Sequence, residues 1–134
     1  MAESATPGPG VPPLVLVVDD DPDGREMCVE MLGLSGLRTA EAADGLQAVA
    51  QAVTLAPDCM LMDLSLPGID GWEVTRRLKS DARTRDIPVI ALTGSSVAVE
   101  GARLTGAGFD AVVTKPYTPE DLMAVIERVL RRPR

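Results

Sequence analysis

The sequence predicts an α/β domain built on a parallel sheet, and three observations carry that expectation. Short apolar runs recur at 14–18, 59–63, 87–93 and 110–114, the first of them rich in β-branched residues, with a more polar, alternating run at 37–42. The stretches between them repeat their apolar residues at helical spacing. The central runs are apolar almost throughout, as strands buried on both faces are. Five strands alternating with five helices imply a parallel sheet covered on both sides, and right-handed crossovers then leave few arrangements.

The elements follow in order. MAESATPGPGVPP (1–13) holds four prolines and two glycines and reads as a disordered leader. LVLVV (14–18) is the first strand. Asp21 before Pro22 starts a helix: a capping side chain, then a residue with no N–H to leave unsatisfied. Met27, Cys28, Met31 and Leu32 return at helical spacing, and Gly36 stops the helix. LRTAEA (37–42) is the least apolar strand and belongs at an edge. Asp44 caps a helix with Leu46, Val49 and Val53 on one face. Pro57 precedes the central strand CMLMD (59–63). LSLPGIDG (64–71) is a loop by composition, with a helix from about Trp72 to Lys79 after it. IPVIALT (87–93) is a strand with Pro88 at its start, where a missing N–H is tolerated. Residues 95–106 form a weak helix containing Gly101 and Gly106. Gly108 ends that unit and DAVVT (110–114) is the fifth strand. Pro119 opens a last helix with Leu122, Val125, Ile126 and Val129 inward. Residues 132–134 are a short tail.

Composition excludes several classes of function. At 134 residues the chain suits one domain with a core of its own. Its aromatic content is 2%, so that core is built from Val, Leu, Ile, Ala and Met. A net charge of −7 gives no electrostatic footprint for nucleic acid. The one basic group, Arg128, Arg131, Arg132 and Arg134, falls where cations suit a helix C-terminus. The absence of histidine removes imidazole metal sites, Ser-His and Cys-His catalysis and histidine bases. Cys28 and Cys59 have no metal-type spacing and, with no signal peptide, fit a reducing cytoplasm. No apolar run approaches membrane-spanning length. Neither nucleic acid nor membrane is expected as a partner, and the oligomeric state is open.

In parallel sheets chemistry gathers at the carboxyl ends of the strands. Those ends carry Asp19, Asp20 and Asp21, then Asp63, Thr93 and, just past the fifth strand, Lys115. Several carboxylates near one point do not all stay ionised in a dry site without a cation. A hard divalent ion suits them, Mg²⁺ best, because it takes one or two carboxylates and keeps several waters. Metal, lysine and hydroxyl together can clamp a phosphoryl group, and an aspartate can be its nucleophile. Each feature alone has a plainer reading. Asp21 is better explained as a helix cap, Asp19 or Asp20 as a solvated turn, and Asp63 as the common acid before a loop. The ordered set at successive strand ends is the specific signal.

VVDDDP (17–22), LMDLSLPGIDGWEV (61–74), IPVIALTG (87–94) and AGFDAVVTKPY (107–117) together resemble the receiver domain of two-component response regulators, over about residues 14–131. The resemblance implies a three-layer α/β/α sandwich of the flavodoxin-like kind, with strand order 2-1-3-4-5 and five helices. It implies that Asp63 is the phosphoacceptor and that Asp19 and Asp20 place Mg²⁺, Asp20 directly and Asp19 mostly through water. The backbone carbonyl of Ser65 is a further implied ligand. Thr93 is implied to hydrogen-bond a phosphoryl oxygen and Lys115 to ion-pair with it, with a cis Lys115–Pro116 peptide. Gly94 would leave the site open to a phosphodonor, and Asp70 and Gly71 would shape the loop after Asp63. One switch position departs from the family: the residue three before the lysine is often aromatic and here is Val112, so no swinging ring is expected beside Thr93.

The expected function is that of a stand-alone, chemotaxis-regulator-like receiver. It takes a phosphoryl group from a histidine kinase or phosphotransfer protein and signals through a downstream partner protein, since the chain ends soon after its last helix. Such a domain catalyses its own phosphorylation and slow dephosphorylation and is not otherwise an enzyme. A small Mg²⁺-dependent phosphatase of the haloacid-dehalogenase type is the rival enzyme, but it needs an acid two residues after the nucleophile, where Ser65 stands. A degenerate receiver serving only as a docking module is the rival non-enzyme, and the intact set Asp20, Asp63, Thr93 and Lys115 speaks against it.

Overall fold

The computed structural model describes residues 10–94 and 103–131. Strands β1 (Leu14–Val18), β2 (Arg38–Ala42), β3 (Cys59–Asp63), β4 (Val89–Thr93) and β5 (Ala111–Thr114) form one parallel sheet in the order β2-β1-β3-β4-β5. Helices α1 (Pro22–Leu34), α2 (Gly45–Leu55), α3 (Gly71–Ser80) and α4 (Pro119–Leu130) connect and follow them. Residues 103–106 are helical too. They fall within the stretch expected to be helical from 95; residues 95–102 lie outside the described residues, as do residues 1–9 and 132–134. No helix among the described residues is long and apolar enough to cross a membrane.

The continuous apolar strands divide between two cores because successive side chains leave a strand on opposite faces. Leu16, Val18, Met60, Met62, Val89 and Ala91 pack with Ala48 and Ala52 of α2 and Val74 and Leu78 of α3. Their neighbours Val15, Val17, Cys59, Leu61, Ile90 and Leu92 pack with Cys28 and Leu32 of α1 and with Leu122, Ile126 and Val129 of α4. The polar strand β2 is at an edge, paired only with β1.

Two helix faces differ from the periodicity reading. Leu46 is 66% exposed, and α2 instead buries Gly45, Ala48 and Ala52, with Val49 packed partly against them. The reason is close approach. A Cβ on Gly45 would lie 2.5 Å from Ile69 Cγ1 and 2.6 Å from Val74 Cγ2, so this side of α2 accepts only small residues. Met27, grouped with the inward residues of α1, is 60% exposed and stands beside a cleft.

Capping side chains start the helices, Asp21 and Asp44 where the sequence places them and Asp70 and Thr118 as further caps. Asp21 accepts from the N–H groups of Asp23 and Gly24, Asp44 from Gln47 and Asp70 from Glu73. Thr118 and Asp121 form a reciprocal capping box on α4. At the opposite end of the sheet two aspartates secure strand starts. Asp58, just before β3, accepts from the N–H of Leu14, the first residue of β1 (2.8 Å). Asp110, just before β5, accepts from the N–H of Val89, the first residue of β4 (2.8 Å), and pairs with Lys79 at 3.0 Å.

Candidate phosphoryl and metal site

The carboxyl ends of β1, β3, β4 and β5 open into one cleft of about 880 Å³, which receives Asp19, Asp20, Asp63, Thr93 and Lys115 together. Ser65, Gly94 and Asp70 line it as well. The strand order puts β1 beside β3 and β4 between β3 and β5, so residues far apart in sequence converge there.

Asp63 is the last residue of β3 and is nearly buried. One of its oxygens accepts from the N–H of Ser65 (2.9 Å) and the other pairs with Lys115 Nζ (3.0 Å). Lys115 is carried there by backbone: its N–H donates to the Thr93 carbonyl (2.8 Å), and the Lys115–Pro116 peptide is cis. The loop after Asp63 is held close by α3. The Gly71 N–H donates to the Leu64 carbonyl, and a Cβ at Gly71 would lie 2.5 Å from the Asp63 carbonyl oxygen. Only glycine fits there. A Cβ at Gly94, by contrast, would meet nothing within 4 Å among the described residues.

Asp19 is nearly buried and Asp20 exposed. Each of Asp19, Asp20 and Asp63 offers a carboxylate oxygen, and these oxygens lie within 4.8 Å of one another. Burial pushes the Asp19 carboxyl above its ordinary range; the Asp21 N–H that it accepts (2.9 Å) draws it back down, and the Asp63 charge adds to the rise. Three carboxylates face one ammonium. An all-oxygen donor set with excess negative charge fits a hard divalent cation and offers nothing to a soft one.

Other wall residues escaped the sequence reading. Met27 and Met31 of α1, and Pro116 and Tyr117 after β5, form an apolar side of the cleft. Burial pushes the Tyr117 hydroxyl up, and the Cys28 thiol, pushed up in the same way, is its hydrogen-bond partner. Trp72 also lines the cleft, with its ring edge-on to Phe109 (centroids 5.6 Å apart) and beneath the Arg103 guanidinium (4.5 Å). DGW resembles a loop end and carries no separate signal for these contacts. Val112, named as a switch position, is half-buried against the core shared with α2 and α3.

A model of the response regulator receiver domain matches residues 15–127. The chain belongs to that family. As a receiver domain of two-component systems it has relatives in full-length regulators. It is 41% identical over 118 residues to the phosphate regulon transcriptional regulatory protein PhoB of Pseudomonas aeruginosa, covering 88% of this chain and 52% of that protein. It is 38% identical over 120 residues to the DNA-binding dual master transcriptional regulator RpaA of Synechocystis sp., covering 90% and 50%. The chain thus spans about half the length of the curated relatives it matches. Among solved structures, the chemotaxis protein CheY4 of Vibrio cholerae superposes with a TM-score of 0.83 at 27% identity, over 89% of this chain and 99% of that one. The receiver domain of the sensor histidine kinase PA1611 of Pseudomonas aeruginosa, solved with magnesium in its active-site cleft, has a TM-score of 0.83 at 30% identity, over 91% and 100%.

Proposed function

We propose that Asp63 accepts a phosphoryl group from a phosphohistidine of a histidine kinase or phosphotransfer protein. The observation that carries this reading is the pairing of Asp63 with Lys115 inside the acidic cluster. A carboxylate oxygen of Asp63 attacks phosphorus; the O–P bond forms, the P–N bond to the donor imidazole breaks, and the leaving imidazole takes up a proton. Lys115 then follows the charge from carboxylate to phosphoryl oxygen, and Thr93 donates its hydroxyl to another. Asp19, Asp20 and Asp63, with the Ser65 carbonyl, would hold Mg²⁺. When bound, the ion offsets the negative charge shared by carboxylates and phosphoryl oxygens.

The phosphorylated domain would act through a partner. RpaA is named as a DNA-binding transcriptional regulator and PhoB as a transcriptional regulatory protein, and a response delivered to DNA by a region outside this domain fits the same chemistry. For the receiver itself, a net charge of −7 supports protein partners rather than nucleic acid. Two buried, unbridged cysteines support a cytoplasmic location.

Incubation with Mg²⁺ and a small phosphodonor, read by intact mass, tests the assignment. The wild-type chain should gain one phosphoryl group and Asp63→Asn none. A gain in the variant would place the nucleophile elsewhere. No gain in either would leave a docking module.

A further inference from the structure

We infer that Arg25 is a positioning residue for the divalent cation, fixing the direction in which Asp19 and Asp20 enter the cleft. The inference rests on the metal site proposed above. Arg25 lies in the first turns of α1, and its side chain is 18% exposed. Its Nη1 donates to the backbone carbonyl of Asp19 (2.7 Å), while its Nε donates to Glu41 Oε1 on β2 (3.1 Å). Glu41 is itself anchored, because its carbonyl accepts from Gln51 Nε2 of α2 (2.7 Å). On the other side of the same residue, the Asp19 N–H donates to the Ala42 carbonyl (3.1 Å).

These bonds hold both peptide groups of Asp19. The carbonyl that Arg25 grips belongs to the peptide joining Asp19 to Asp20, so its orientation sets where the Asp20 chain leaves. Asp20 is exposed, and backbone direction is what aims its carboxylate. Gly24 leaves space beside the two carboxylates: a Cβ there would lie 3.1 Å from Asp19 Oδ2 and 3.2 Å from Asp21 Oδ2, tight enough to shift them.

The sign of the effect separates positioning from charge. A guanidinium near a cation site repels the cation, so on charge alone its removal would tighten Mg²⁺ binding. On the positioning role its removal weakens binding. Lysine keeps the charge but is a point donor and cannot serve the Asp19 carbonyl and Glu41 in two fixed directions. The fork, and not the charge, is therefore the active property.

Calorimetric titration of MgCl₂ into the full chain, below the unfolding transition, tests this with no phosphodonor present. Arg25→Ala and Arg25→Lys should both bind about tenfold more weakly, the scale of lost support behind a metal ligand. Glu41→Gln should weaken binding in the same direction and less. A merely structural role would lower the metal-free melting temperature while leaving the affinity of the folded molecules unchanged, and that result overturns the inference, as would tighter binding. If Arg25→Ala does not fold, the lysine variant, which keeps the charge and loses the fork, decides. Asp20→Asn separates the two levels: weaker binding there with unchanged binding in the Arg25 variants defeats only the role of Arg25, whereas unchanged binding in Asp20→Asn defeats the metal site and this inference with it.

Discussion

A single hydrogen at Gly71 decides how near α3 can come to Asp63. Its φ is not in the left-handed region, so the requirement is space and not backbone freedom. Gly71→Ala should therefore destabilise the domain by about 1–3 kcal/mol, as overpacking does. The urea midpoint should fall; an unchanged midpoint would mean that the loop gives way freely. Thr75 is the reverse case. Its hydroxyl is fully buried with no hydrogen-bond partner among the described residues. Thr75→Val keeps the shape and removes an unsatisfied polar group, so stability should hold or rise by up to about 1 kcal/mol. A clear loss in the same denaturation experiment would reveal a partner for that oxygen. The resemblance named Gly71 as shaping the loop after Asp63, but neither its crowding nor the buried Thr75 hydroxyl was legible in the sequence. Asp63, Thr93 and Lys115 were, because a polar residue that closes an apolar run has a known place at the strand end.

Strand ends use their aspartates in two ways. At the carboxyl end Asp19, Asp20 and Asp63 converge on one another, while at the amino end Asp58 and Asp110 each hold the N–H of a neighbouring strand. Asp110 also anchors Lys79, whose ammonium reaches the carbonyls of Arg85 and Ile87 as well. This joins α3, the segment before β4 and the start of β5. Asp110→Ala should cost about 2–3 kcal/mol, the range for a charged hydrogen bond with a buried donor left behind, and Asp110→Asn less, because it keeps an acceptor for Val89. Equal losses in thermal unfolding would mean that the ion pair, and not the strand start, is what matters. The misread faces of α1 and α2 belong to this scale too. Helical spacing counts Leu46 and Met27 as core, but the turn of each helix about its axis is set by what it meets, and α2 meets Ile69 and Val74 at glycine distance.

For the whole molecule, the proposed metal binding would be linked to folding. The acidic cluster exists only when β1 and β3 are paired, so a cation bound there stabilises the folded chain alone. Mg²⁺ at a hundred times its dissociation constant should add about 2.7 kcal/mol. The melting temperature should rise with Mg²⁺ in the wild type and not in Asp20→Ala, and an equal rise in both would place the ion elsewhere.

The order of strands and helices, the helix starts capped by Asp21 and Asp44, the edge position of β2 and the identity of the residues at the strand ends were all determined by the sequence. Each depends on local chemistry: alternation and apolar runs, capping side chains, proline and glycine. The receiver motifs carried the strand order and the presence of Lys115 at the site of Asp63, but not the ion pair the two make. Tertiary structure alone decided the rest. Arg25 sits in the sequence as one of several charged residues of a helix, and only the β1–β2 pairing brings Glu41 and the Asp19 carbonyl to its two donors. Trp72 meets Phe109 and Arg103 only because β4 and β5 lie beyond β3 on the same sheet. Such contacts join residues distant in the chain, and no local pattern records them, since the same side chains would serve equally well in water.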